Sequence, residues 1–334
     1  MLKGAIIGFG FMGKMHYSVY SKLDEVKISA ICEIDSQKRN IDDSGNIAVE
    51  INAEDFDSIN WYTTIDDLLD SEKELDFVDI CLPTYLHRNA VENVFYKNPE
   101  IAILCEKPIS VSKEDAEKMI EIAEKMNRPF MIAQCIRFWP SYEYLYESFK
   151  EKRFGSLKSL YLERYTSFPS WNEWIKEEKK SGCILDLHIH DIDFANHLLG
   201  LPEKLIATGF SKYTDGIDEI SSILFYENYF VCVNGSWALE PSFGFNMRYR
   251  AVFENATIVF DFLNKPEPVV YKSDGSSFTP EIPNEDGYIR EIKYFLKCIK
   301  ENTKPLISTP LQAYQSLKIV LDEFSSIKKG GNFV

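Results

Sequence analysis

Short apolar runs alternate with longer amphipathic stretches over the first third of the chain. GAIIGFG (4–10), VKISAICEID (26–35), DFVDICLP (76–83), AILCEKP (102–108) and PFMIAQC (129–135) each predict a buried strand. TIDDLLDS and SKEDAEKMIEIAEKMN lie between them and carry helical spacing. The second of these opens on Ser112 as an N-cap, with Asp115 three residues on. Strands alternating with helices predict parallel βαβ units in a doubly wound α/β sheet.

After about residue 137 the pattern changes. SLKSLYLERYTSF, KLIATGFSKY, ISSILFYENYFVCVNGSWAL, MRYRAVFENATIVFDF and EPVVYK are rich in β-branched and aromatic residues, with turn signals between them. FENATIVF reads as a hairpin turn. No helix intervenes between these runs, so they predict an antiparallel sheet. Helices are expected at 184–199, 287–301 and 310–328. The shift in texture places a domain boundary near 135, giving domains 1–135 and 136–334.

Length agrees with two domains, because single cores rarely grow past about 250–300 residues. The chain has 334 residues, 45% of them hydrophobic and 14% aromatic, enough for buried cores. No window approaches 18 uninterrupted apolar residues, so no membrane span is expected. MLKGAIIGFGFMG breaks into glycines and does not read as a signal peptide. The seven cysteines are scattered without a CxxC, which implies reduced thiols and a cytoplasmic setting. The formal charge of −15 and the lack of a basic stripe argue against a nucleic-acid partner.

GFGFMG (Gly8, Phe9, Gly10, Phe11, Met12, Gly13) follows a strand and opens a helix, the context in which G-x-G-x-x-G binds a dinucleotide. Gly8 permits the tight turn, Gly10 lets the backbone approach a pyrophosphate, and Gly13 lets helix and strand pack closely. The helix N-terminus offers unpaired N–H groups to the anion. Glu33, about 20 residues past Gly13, suits the ribose hydroxyls and repels a 2′-phosphate, which predicts NAD over NADP. Asp35 is a weaker substitute, and Lys38 and Arg39 just beyond leave the phosphate option open.

CEKP puts Lys107 at the carboxyl end of a strand, where doubly wound sheets bind ligands. Lys107 is a candidate acid or base there; a surface ion pair is the alternative. SGCILDLHIHDID holds two of the five histidines. As a strand it would align Asp186, His188 and His190 as a metal set. The recurrence of Leu185, Ile189, Ile192 and Leu199, with a Gly200–Pro202 stop, favours a helix. On that helix Asp186, His190, Asp193 and His197 form a polar stripe with His188 roughly opposite. An imidazole and a carboxylate one turn apart suit proton transfer, and no metal is expected. His188 and His197 read as structural or surface residues.

The glycine loop, E-K-P and G-x-x-x-D-x-x-x-H, in this order and spacing, resemble the glucose–fructose oxidoreductase / inositol dehydrogenase (Gfo/Idh/MocA) family. CLPTYLH (81–87), RFWPSY (137–142) and DEFSSIKKGGNFV are similar to further segments of that family. The resemblance implies a Rossmann domain followed by an α+β domain with a large open, mainly antiparallel sheet. It implies hydride transfer between a nicotinamide and a hydroxyl or carbonyl carbon of a sugar, cyclitol or related polyol. Lys107, Asp186 and His190 match its catalytic residues. Glu106 would help hold the nicotinamide side, and Pro83, Thr84 and His87 would line the cofactor. Gln134, Arg137, Phe138, Trp139 and Trp174 are candidates for the pocket wall, with Trp171 a further aromatic. Cys183 stands where the family often has a second glycine after Gly182. A homodimer or homotetramer through the open sheet is expected. Two other readings remain: an NAD-dependent redox-neutral glycosidase or lyase, and a non-catalytic nucleotide- or sugar-sensing regulator.

Overall fold

A six-residue strand, β1 (Leu2–Ile7), starts the chain and sits inside a six-stranded sheet. The structure, a computed structural model, describes residues 1–39, 56, 58–170 and 182–334. The other strands of this sheet are β2 (Val26–Cys32), β3 (Asn60–Tyr62), β4 (Phe77–Ile80), β5 (Ala102–Glu106) and β6 (Phe130–Ala133). Their order is β3-β2-β1-β4-β5-β6, and every pair is parallel. The strand order reverses between β1 and β4, which is where such sheets open a crevice at their carboxyl ends. The first helices are α1 (Phe11–Tyr20), α2 (Ile65–Ser71), α3 (His87–Lys97) and α4 (Lys113–Lys125). Ser112 caps α4 by accepting from the Asp115 N–H, as its position predicts.

The chain divides into two compact units, Met1–Cys135 with Tyr288–Tyr314, and Ile136–Gly287 with Gln315–Val334. The sequence pattern assigned all of 136–334 to one domain, whereas 288–314 associates with the first unit. This segment contributes most of α7 (Gly287–Glu301), whose Ile292, Phe295 and Leu296 are fully buried. Phe295 meets Phe77 of β4 edge to face, with ring centroids 5.7 Å apart. Burying such side chains stabilises by about 1.5–3 kcal/mol each.

The second unit holds the remaining strands: β7 (Leu157–Ser167), β8 (Lys204–Phe210), β9 (Glu219–Phe225), β10 (Phe230–Leu239), β11 (Phe245–Phe253), β12 (Ala256–Asp261), β13 (Lys265–Lys272) and β14 (Ser277–Phe278). They form one sheet in the order β14-β13-β12-β11-β7-β10-β9-β8. It is antiparallel except for the central β7–β10 pair, which runs parallel from Ser159 opposite Phe230 onward. The helices of this part of the chain are α5 (Pro140–Lys150), α6 (Ile189–Leu199) and α8 (Pro310–Lys328); residues 310–314 at the start of α8 belong to the first unit. Alternate residues of β7 are buried, including Leu157, Leu160, Leu162 and Arg164. On the other side of the sheet Arg250 lies over Tyr161, 4.2 Å from its ring centroid, and Arg248 pairs with Glu163. Among the described residues no helix is long and apolar enough to cross a membrane.

Candidate functional site

The glycine loop leaves β1 and turns into α1. Gly8 has φ +92°, and a Cβ on it would lie 2.7 Å from the Cys81 carbonyl oxygen. A Cβ on Gly13 would lie 2.2 Å from the Gly8 oxygen. Both positions therefore require glycine, one for conformation and one for close packing. Gly10 differs: among the described residues a Cβ there would meet only Lys38 Nζ, at 3.9 Å. Its backbone is open to an approaching group, and the α1 N-terminus that it caps presents N–H donors beside it.

Glu33 follows β2 and reaches back over this loop. Its Oε2 accepts the Phe9 N–H at 2.7 Å, and its Oε1 accepts the Asp35 N–H at 2.9 Å. Each oxygen retains acceptor capacity for a hydroxyl. Lys38 and Arg39 lie on the short turn Ser36–Arg39 just beyond, and Arg39 stacks on Trp61 at 4.7 Å. A carboxylate and two cations thus share this end of the loop.

The residues after β4 and β5 are held from inside. Pro83 is partly exposed and Thr84 buried. His87 is fully buried, with Nε2 2.8 Å from the Leu82 oxygen and Nδ1 3.0 Å from the Pro108 oxygen. It therefore sits between the two strand-end turns instead of lining a surface, with a carbonyl oxygen beside each ring nitrogen, to one of which the neutral ring donates. Burial pulls its pKa down, against the effect of these carbonyls and of Glu106. Glu106 is also turned inward: Oε1 lies 3.2 Å from His16 Nε2, and Oε2 accepts the Lys107 N–H at 2.9 Å. Lys107 itself is partly exposed and joined to Pro108 by a cis peptide. Gln134, at the end of β6, is 1% exposed. Neither its amide oxygen nor its nitrogen has a hydrogen-bond partner among the described residues.

In the second unit the stretch from Ile184 is helical. Ile184–His188 forms a π turn that runs directly into α6. Asp186 and His190 are both partly exposed, one turn apart, while Ile184, Leu185, Leu187 and Ile189 are buried. The flanking residues Asp191 and Asp193 point into the unit. Asp191 receives Arg164 Nε at 2.7 Å, and Asp193 receives Arg137 Nε and Nη2, both at 2.7 Å. Ser316 Oγ adds a hydrogen bond to Asp193 at 2.7 Å. These buried pairs fix the rotation of α6 about its axis, and so fix which residues face outward.

Two expectations change here. Asp193 leaves the predicted stripe because Arg137 draws it inward. Arg137, expected at a pocket wall, is 4% exposed and engaged by that carboxylate. Phe138 is 6% exposed. Trp139 is partly exposed and meets Phe262 edge to face. Trp171 and Trp174 lie outside the described residues.

Gly182 has φ +61°, and a Cβ on it would come within 2.2 Å of the Ile217 backbone. Cys183, the departure from a double glycine, is fully buried with its Sγ 3.8 Å from the Gly235 oxygen. The thiol therefore fills space inside the unit. His188 is also fully buried, with Nε2 3.0 Å from Glu323 Oε1, which is the structural role expected of it.

One cluster went unread in the sequence. His16 of α1 is fully buried, with Nδ1 2.8 Å from Asp79 Oδ2. Tyr20 donates to the same oxygen at 2.9 Å, and Cys81 Sγ lies 3.4 Å from Asp79 Oδ1. The signal was present: Asp79 interrupts the apolar strand FVDI, and a buried acid in a strand needs a partner.

Residues 2–134 match the profile described as "Oxidoreductase family, NAD-binding Rossmann fold", and residues 142–259 match the "GFO/IDH/MocA C-terminal domain". The chain is 28% identical over 212 residues to 2,7-anhydro-N-acetylneuraminate hydratase of Escherichia coli (strain K12), covering 63% of this chain and 53% of that protein. Matches to the other leading curated relatives likewise span about half of their length. It is 24% identical over 310 residues to scyllo-inositol 2-dehydrogenase (NADP(+)) IolU of Bacillus subtilis (strain 168), covering 90% and 89% of the two chains. Levoglucosan dehydrogenase in complex with NADH has the same fold, with a TM-score of 0.84 at 20% identity over 100% of this chain and 98% of that one. With both of its halves matched, the chain belongs to the Gfo/Idh/MocA oxidoreductase family.

Proposed function

We propose that the protein transfers hydride between a nicotinamide dinucleotide and a hydroxyl or carbonyl carbon of a sugar, cyclitol or related polyol. The observation that carries this reading is the helix presenting Asp186 and His190 one turn apart, in a chain whose glycine loop is built to take a pyrophosphate. The loop fits the cofactor: Gly10 is open where Gly8 and Gly13 are closed. Gly8 to Gly13 and the α1 N-terminus would hold the phosphates, with Glu33 on the ribose and Pro83 and Thr84 nearby. When bound, the nicotinamide supplies or accepts the hydride at C4.

In the oxidising direction the substrate carbon loses a hydride as its hydroxyl loses a proton to Lys107 or His190, leaving a carbonyl. Asp186 orients the imidazole. In the reverse direction the same groups return the proton. Glu33 favours NAD; Lys38 and Arg39 are the residues that would accommodate NADP, the cofactor printed in the name of the B. subtilis relative. The open face of the second sheet is the proposed contact for a homodimer or homotetramer. A redox-neutral reaction on the same residues is the second reading, favoured by the likeness to a hydratase.

Titration of nucleotide-stripped protein with NADH and NADPH, read by nicotinamide fluorescence, comes first. Tight NADH binding and weak NADPH binding are expected; binding of neither would defeat the proposal. Lys107→Met should lower kcat on a responsive polyol by about 10²–10⁴-fold with the NADH Kd unchanged. Normal turnover in that variant would remove Lys107 from the mechanism.

A further inference from the structure

A buried polar chain runs beneath the Glu106–Lys107 turn, entirely within the first unit. It starts at Asp79 on β4, passes through the His16 ring on α1, and reaches the Glu106 carboxyl at the end of β5. The successive contacts are 2.8 Å (Asp79 Oδ2 to His16 Nδ1), 3.2 Å (His16 Nε2 to Glu106 Oε1) and 2.9 Å (Lys107 N to Glu106 Oε2). His16 and Asp79 are fully buried, and Glu106 is 5% exposed. Only the Nδ1 contact to Asp79 has hydrogen-bond geometry; Nε2 faces the Glu106 carboxyl at ion-pair distance without a hydrogen bond. A carboxyl group on each side of the ring favours its protonated form.

We infer that His16 is a positioning residue: it ties the helix of the glycine loop to the Glu106 carboxyl and thereby sets the turn from which Lys107 extends. It touches neither substrate nor the reacting carbon. Its kinetic consequence rests on the oxidoreductase reading proposed above; the protonation of the ring does not.

The groups facing His16 support a cationic ring. Burial alone would lower its pKa, but Asp79 and Cys81 more than reverse this and hold it well above the usual value. Cys81 is kept as a neutral thiol by burial and by Asp79, so the carboxylate supplies the charge. Tyr20 is likewise held neutral, by burial and by Asp79. From α7, Glu291 is pushed up by burial, which outweighs the pull of His16, so it adds no charge. Tyr288, whose ring centroid is 6.5 Å away, is also kept protonated by burial. The carboxyl groups that face the two ring nitrogens are those of Asp79 and Glu106.

A metal ion is the rival occupant, since donor atoms of His16, Asp79 and Cys81 lie within 4.8 Å of one another. The 2.8 Å separation of His16 Nδ1 and Asp79 Oδ2 speaks against it. Two ligands about 2.0–2.1 Å from a tetrahedral ion stand about 3.3 Å apart, whereas 2.8 Å is a hydrogen bond. The Lys107 turn is held from the other side as well, through the His87 contact to the Pro108 oxygen. The turn is thus pinned on both flanks, and releasing one flank lets it shift. Displacement of a catalytic group by about 1 Å costs on the order of 10²-fold in rate.

The test uses the full-length protein labelled with ¹⁵N-histidine, with the His16 signals assigned by their loss in His16→Gln. Imidazolium shifts at both nitrogens are expected at pH 7. A neutral ring at pH 7, or stoichiometric zinc uptake abolished by His16→Gln, would overturn the inference. Folded His16→Gln should lose about 10²-fold in kcat with the polyol KM little changed, and its kcat–pH profile should shift. A folded variant with the parent kcat and pH profile would also overturn it. Failure to bind NADH or to turn over any polyol would strike the functional reading instead, leaving the ring's protonation to decide this one.

Discussion

Four of the five histidines, His16, His87, His188 and His197, take their roles from neighbours distant in the sequence. His188 pairs with Glu323, 135 residues away, and a Cβ on Gly235 would sit 2.8 Å from its Nδ1. His197 lies flat on Tyr146, with centroids 4.4 Å apart and planes 7° from parallel. Burial, aided by Arg137 and Lys150 against Asp193, lowers the His197 pKa to about 4. The ring is neutral in the folded protein at pH 6 and takes a proton once unfolded. Stability should therefore fall as pH drops from about 6.5 toward about 4, then level off for this group. His197→Phe keeps the stacking and removes the proton. Urea melts between pH 7 and pH 4 should show a shallower loss for this variant, and an unchanged slope would reject the assignment. The spacing of Asp186 and His190 was legible because helical periodicity is local; the inward turn of Asp193 was not, because its cause is Arg137.

At the scale of elements, the strands of the first sheet announced themselves as dense apolar runs. The three-residue edge strand β3 is too short to carry a period. α5 went unread because PSYEYLYESFK is crowded with aromatics that favour strands, although Pro140 at its first turn is a helix signal. The parallel β7–β10 pair was hidden for a different reason: strand direction depends on which strands neighbour one another, not on their composition. The start of the π turn gives a sharper test. Gly182 adopts a left-handed conformation against the Ile217 backbone, so Gly182→Ala combines backbone strain with a clash that no side-chain rotation relieves. We expect a loss of more than about 2 kcal/mol in urea denaturation. Parent-like stability would show that the turn at Gly182 can rearrange at little cost.

For the whole molecule, the two-domain reading rested on a change of texture near residue 135. The return of 288–314 to the first unit had no such signal, since an amphipathic helix does not declare which sheet it covers. Ile292, Phe295 and Leu296 together contribute on the order of 5–9 kcal/mol of burial. That is comparable to the net stability of an entire domain, about 5–15 kcal/mol. A fragment of residues 1–135 should therefore lack a cooperative thermal transition, and the same fragment linked to 288–314 should regain one. A sharp transition in the shorter fragment would show that α7 is dispensable. The chain passes from one unit to the other after residues 135, 287 and 314. On a ribosome adding about 5–20 residues per second, the nucleotide-binding half emerges first yet waits for α7. The second half in turn waits for residues 315–334. Neither half can finish folding before the other has begun to emerge, so nascent chains of this protein carry exposed apolar surface for longer and should depend on chaperone holdases more than a chain built from two consecutive domains.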